Sequence, residues 1–103
     1  MSSQPVSRKG DKTTGHGPYQ PRPSTQGSPN VNANNIPVNR VGDGWAPHGA
    51  SPAYPGDPHP GDGSAKTSAG SATVFVNGKP IARIGDPVEA DTIAAGSPNV
   101  YAG

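Results

Sequence analysis

The chain has 103 residues and a net charge of +1, with 15 glycines, 14 prolines and no cysteine. Eight Val, four Ile, one Phe and no Leu are too few for an ordinary two-layer core, and a proline about every seven residues excludes a helical bundle. Disulfides and thiolate metal sites are impossible, the charge balance gives no support for nucleic-acid binding, and no apolar run approaches the ~18 residues of a membrane span.

Composition alone reads as disorder, and a chain this poor in apolar residues needs another staple: a metal, a partner or an unusually regular fold. No apolar stretch follows the basic residues of Met1 to Lys9, so no secretory leader is expected. Internal repeats replace the disordered reading with an ordered one. In chain order, the first unit is Pro5-Val6-Ser7-Arg8-Lys9-Gly10-Asp11, of the form Pro-x-x-Arg-x-Gly-Asp. His16 follows eight residues after Arg8. Gly27 to Asp43 then joins Gly-Ser-x-x-Val to a second Pro-x-x-Arg-x-Gly-Asp, at Pro37 to Asp43. Trp45 comes next, expected to cover a small core. His48 lies eight residues after Arg40, and His59 sits in the longest loop.

Gly70 to Asp86 aligns with Gly27 to Asp43 over 17 residues without a gap and with eight identities. The block reads as a β-hairpin. Thr73 to Val76 and Ile81 to Ile84 suit strands, and Asn77-Gly78 between them is the strongest short signal for a type I′ turn. Asn34-Asn35 holds the same place in the other copy. Within each Arg-x-Gly-Asp, Gly is expected to supply a strained turn and Asp to cap it. Asp91 lies eight residues after Arg83. The chain finishes on Gly96-Ser97-Pro98-Asn99-Val100, the first half of a hairpin whose second half is Pro5 to Asp11.

These features predict one all-β domain over residues 1–103: three hairpins about a pseudo-threefold axis, the last closed by both chain ends, with no extension or effector domain. The loops after each Arg-x-Gly-Asp leave one side of the ring, and the working face is expected there. The matched offsets of His16 and His48 bring them together, with His59 and Asp91 as further donors. Three imidazoles with a carboxylate suit Zn²⁺, whereas two imidazoles and a carboxylate with open positions suit Fe²⁺.

The three Pro-x-x-Arg-x-Gly-Asp units, each joined to Gly-Ser-x-x-Val, resemble the proline-alanine-alanine-arginine (PAAR) repeat proteins. Pro80-Ile81-Ala82-Arg83 is the copy nearest the name motif, and His16-Gly17 and Pro47-His48-Gly49 resemble the family's His-Gly elements. The resemblance implies a small cone whose Gly/Pro-rich loops converge at a tip. It implies a seat on a trimeric β-helical spike of a phage tail or type VI secretion system. It also implies a zinc near the apex held by histidines and a cysteine. Where that cysteine would stand the chain reads Pro87-Val88-Glu89-Ala90-Asp91-Thr92, leaving Asp91, water or no group as the fourth ligand.

The expected protein is a non-enzymatic, metal-stabilised, membrane-piercing tip. It would be a monomer when free, bind one copy per spike trimer and touch the target envelope transiently. A place at the virion tail tip is favoured over secretion with a type VI spike. A zinc-dependent hydrolase and a disordered linker are the competing readings.

Overall fold

The computed structural model describes residues 3–15, 21–46, 65–88 and 91–103. These residues are all-β, with no helix among them. Strand β1 is Gln4–Pro5, β2 Asn32–Ala33, β3 Ile36–Pro37, β4 Phe75–Val76, β5 Lys79–Pro80, β6 Pro87–Val88, β7 Asp91–Thr92 and β8 Tyr101–Ala102. Each is two residues long, so pairing between segments carries the fold.

Three hairpins share one register. Asn32 faces Pro37 and Ala33 faces Ile36. Phe75 faces Pro80 and Val76 faces Lys79. Tyr101 faces Pro5 and Ala102 faces Gln4, so the two ends of the chain do form a hairpin. The two continuous copies turn on residues in the left-handed region: Asn34 (φ 56°) and Asn35 (φ 64°), and Asn77 (φ 55°) and Gly78 (φ 78°). Asn and Gly occupy that region at least cost, as a type I′ turn requires.

The hairpins join in a closed cycle. Val6 bridges Arg83, Arg8 bridges Val38 and Arg40 bridges Ile81. Between these bridges, Ser7 N donates to Ala82 O, Ala82 N to Asn39 O and Asn39 N to Ser7 O, each at 2.9 Å. All three residues are fully buried. Main-chain amides in a three-membered ring thus tie the three hairpins directly to one another, each bond contributing about 1 kcal/mol net.

A second closed ring sits beyond the Arg-x-Gly-Asp turns. Lys12 bridges Pro23, Ser24 bridges Trp45, Gly44 bridges Lys66 and Thr67 bridges Val88. β6 pairs with β7, and Ile93 bridges back to Thr13. Six short segments therefore close without a free edge, which removes the liability of open strands at this end. Residues 16–20, 47–64 and 89–90 connect these segments, and the expected convergence of loops at a tip falls on them, outside the described residues.

The core has two layers. Val6, Val38 and Ile81 pack with Ala33, Val76 and Ala102, which occupy matching places in the three hairpins. Trp45, Ala65, Ala82, Val88 and Ile93 form the second cluster, with Ile84 against it. Trp45 is buried as expected. Its Nε1 donates to Thr67 Oγ1 at 2.8 Å, and Thr67 Oγ1 donates to Asn39 Oδ1 at 2.6 Å.

The Gly of each Gly-Ser lies against the next strand. A Cβ on Gly70 would sit 2.5 Å from Ile81 O, which accepts the Ser71 amide at 2.9 Å. Rigid backbone cannot yield there, so Gly70→Ala should cost about 3 kcal/mol. Gly10→Ala meets no atom within 4 Å and bears only the strain of its φ of +92°. That substitution should cost about 1–2 kcal/mol. Urea unfolding of both variants checks the order, and equal losses would refute the close approach at Gly70.

Candidate functional site

Each Arg-x-Gly-Asp folds into the same clamp. In the second copy Asp43 N donates to Arg40 O at 3.0 Å, closing the turn over Gly42 (φ 93°). Asp43 Oδ2 accepts from Arg40 N and from Arg40 Nε, both at 2.9 Å, and Oδ1 accepts from Nη2 at 2.9 Å. The first copy repeats the contacts between Arg8 and Asp11, and the third between Arg83 and Asp86. The sequence pointed to Gly and Asp as turn residues. It did not show that the carboxylate also grips its own Arg in a two-pronged ion pair. The hydrogen bonds to Asp43 and Asp86 push the Arg40 and Arg83 pKa values up from an already high level, against the opposing effect of burial.

Neighbouring repeats are clipped together by serines. Ser28 Oγ accepts from Asn30 N and Val31 N, Ser71 Oγ from Thr73 N and Val74 N, and Ser97 Oγ from Asn99 N and Val100 N. Each hydroxyl then donates to the turn of another repeat: Ser28 to Asn77 Oδ1 at 2.6 Å, Ser97 to Asn34 Oδ1 at 2.5 Å, and Ser71 to Gly103 O. Arg40 Nη1 and Arg8 Nη1 reach the same two asparagine oxygens at 3.0 and 3.2 Å. The threefold recurrence of Gly-Ser-x-x-Val was the only trace of this device in the sequence.

Of the expected metal donors, Asp91 falls within the described residues, whereas His16, His48 and His59 lie outside them. The stems that lead to the histidines rise from the closed six-segment ring. Thr14 N donates to Thr92 O at 2.8 Å, which sets the approach to His16 beside the residue after Asp91. Ala46 N donates to Pro23 O at 3.0 Å, which sets the approach to His48 beside the strand returning from residues 16–20. Asp91 shares its offset with the two histidines. It also begins a returning strand, the ring position held by Arg22 and Ala65 in the other repeats. There the Asp91 carboxylate faces the Arg22 guanidinium at 3.4 Å, with the two residues only 2 % and 1 % exposed. Arg22 Nη2 also donates to Val88 O at 3.3 Å. Among the described residues no three His, Cys, Asp or Glu side chains gather to hold a metal.

The opposite end of the ring presents apolar residues at matching places. Val31, Val74 and Val100 are each more than a third exposed, and Phe75 and Tyr101 stand out at 57 % and 55 %. The two-residue turns make Ala33–Ile36 and Val76–Lys79 the closing pairs. The next position, held by Asn32, Phe75 and Tyr101, therefore turns its main-chain N–H and C=O away from its own hairpin. The prolines opposite receive bonds on the inner side: Pro37 O from Lys9 N, Pro80 O from Val41 N and Pro5 O from Ile84 N.

A ring of short antiparallel hairpins with clamped turns and one open rim defines a small all-β protein. The PAAR motif profile matches residues 9–92 and, in a second overlapping match, 62–103. The chain belongs to the PAAR-motif family, whose members are structural spike-tip proteins of contractile injection systems and bind the spike. No match was found among curated proteins.

Proposed function

We propose that this chain caps a trimeric β-helical spike, one copy per trimer, and leads it through the target envelope. The observation that carries the reading is the rim. Three strand edges with unengaged main-chain groups recur at matching register around a single chain. A trimer whose chains end in β-strands can continue each of them by main-chain pairing. Three repeats in one polypeptide meet three chains without a symmetry conflict. The role is mechanical: the clamped turns and closed rings stiffen a molecule with little core, so force on the rim is carried to the loop end.

At the loop end His16, His48 and His59 are the metal donors in this proposal, with zinc as the ion that three imidazoles suit. Zinc bound there would add folding free energy where the sequence offers little else, since segments 16–20, 47–64 and 89–90 contain no Val, Leu, Ile, Met or Phe. Asp91, the fourth donor that the sequence suggests, has its charge met by Arg22.

Co-expression with a trimeric β-helical spike protein, followed by size-exclusion chromatography with light scattering, tests the cap. One copy per trimer is expected. Three copies per trimer would show that each spike chain binds its own tip and would overturn the proposal.

A further inference from the structure

Resting on the spike-cap reading, we infer that the rim grips its threefold partner unequally, through Phe75 and Tyr101, with the Asn32 sector as a weak third contact. Asn32, Phe75 and Tyr101 hold one register position, each opposite a proline of its hairpin. The three places are equivalent in backbone and unequal in chemistry: two aromatic rings and one amide.

Three observations specify the occupant as the strand-ended face of a threefold β-structured partner. The exposed positions recur three times around a closed ring, so a partner with three equal sites meets all of them. At each position the main-chain N–H and C=O point outward, and no bond from another described element reaches them. The segments 28–33, 71–76 and 97–102 carry no charged side chain, although the rest of the chain carries eight Lys and Arg and seven Asp and Glu. Loss of charge with retention of aromatic residues marks the centre of an interface rather than its rim.

A more-than-half-exposed Phe or Tyr beside an open strand edge gains little in the free protein. Against a partner it loses its water and inserts between the partner's terminal side chains. Aromatic anchors of this kind carry most of the energy in protein interfaces, while their neighbours exclude solvent. Val31, Val74 and Val100 are equally exposed in the three sectors and serve that excluding role. The partner's three sites are identical, so the difference between sectors comes wholly from this chain. Affinity should therefore respond to one position in each sector, and the Asn32 sector can be improved.

The experiment is titration calorimetry or biolayer interferometry with a recombinant trimeric β-helical spike fragment as the probe, on wild type, Phe75→Asn, Tyr101→Asn, the double variant and Asn32→Phe. Melting curves check the fold, which exposed side chains should leave unchanged. We expect about tenfold weaker binding for each single loss, a hundredfold or more for the double variant, and about fivefold tighter binding for Asn32→Phe. Unchanged affinity in the folded double variant would overturn the unequal grip while leaving the cap in place. Failure of wild type to bind any trimeric spike fragment would overturn both. Concentration-dependent self-association abolished by Phe75→Asn would also overturn it, by making a second copy the occupant.

Discussion

Asp43→Ala should destabilise the protein by about 3–5 kcal/mol. One carboxylate holds three separate things: the main-chain amide of Arg40, its Nε and its Nη2. Removing it leaves a buried guanidinium with only Asn77 Oδ1 and the more distant Gly27 O as partners. The same arginine ties the second repeat to the turn of the β4–β5 hairpin through Asn77, so the damage spreads across the ring. A domain of this size typically has about 5–15 kcal/mol in total, and the variant should melt more than about 10 °C lower. Asp11→Ala removes the matching contacts from a more exposed pair and should cost less. Denaturant titration of both variants is the check. Equal, small losses would show the clamps to be ornaments of the turn rather than supports of the ring.

Removal of metal should have the larger effect of the two, on the order of 10 kcal/mol for a structural zinc. A chelator should lower the melting temperature steeply, and one equivalent of zinc should restore it. His16→Ala and His48→Ala should each approach the chelated protein, because a structural site that loses one of its imidazoles holds zinc far less firmly. Asp91→Asn separates two roles for the carboxylate. If it serves Arg22, the variant loses stability by removing the charge opposite a buried cation but keeps about one zinc per chain by elemental analysis. A drop in zinc content would make Asp91 a ligand. A melting curve indifferent to chelator would remove the metal from the account.

The hairpins were legible because their turns demand special residues. Asn77-Gly78 and Asn34-Asn35 sit at positive φ, and few residue types tolerate that. The pairing of β1 with β8 was legible for a different reason: each half-hairpin lacked its complement, and the shared register left one place for it. The six-segment ring beyond the clamps was not legible. It is made by main-chain bonds between isolated residues such as Gly44 and Lys66, and these leave no pattern in side chains. Arg22 was missed because a single Arg in a Pro-rich segment looks solvated until Asp91 is placed against it. The equal offset of Asp91 and the histidines hid its second identity: Asp91 pairs with Val88 only three positions earlier and so already belongs to the returning strand.

The pairing of Gln4–Pro5 with Tyr101–Ala102 bears on how the molecule comes into being. Residues at opposite ends of the sequence must meet before the ring exists, and contacts of such high sequence separation make folding slow. During synthesis Val6 has no partner at Val100 until some ninety further residues have been made. Closure of the ring therefore waits for residues 100–102, and until they are made the chain carries an unsatisfied strand edge that invites pairing with the wrong neighbour.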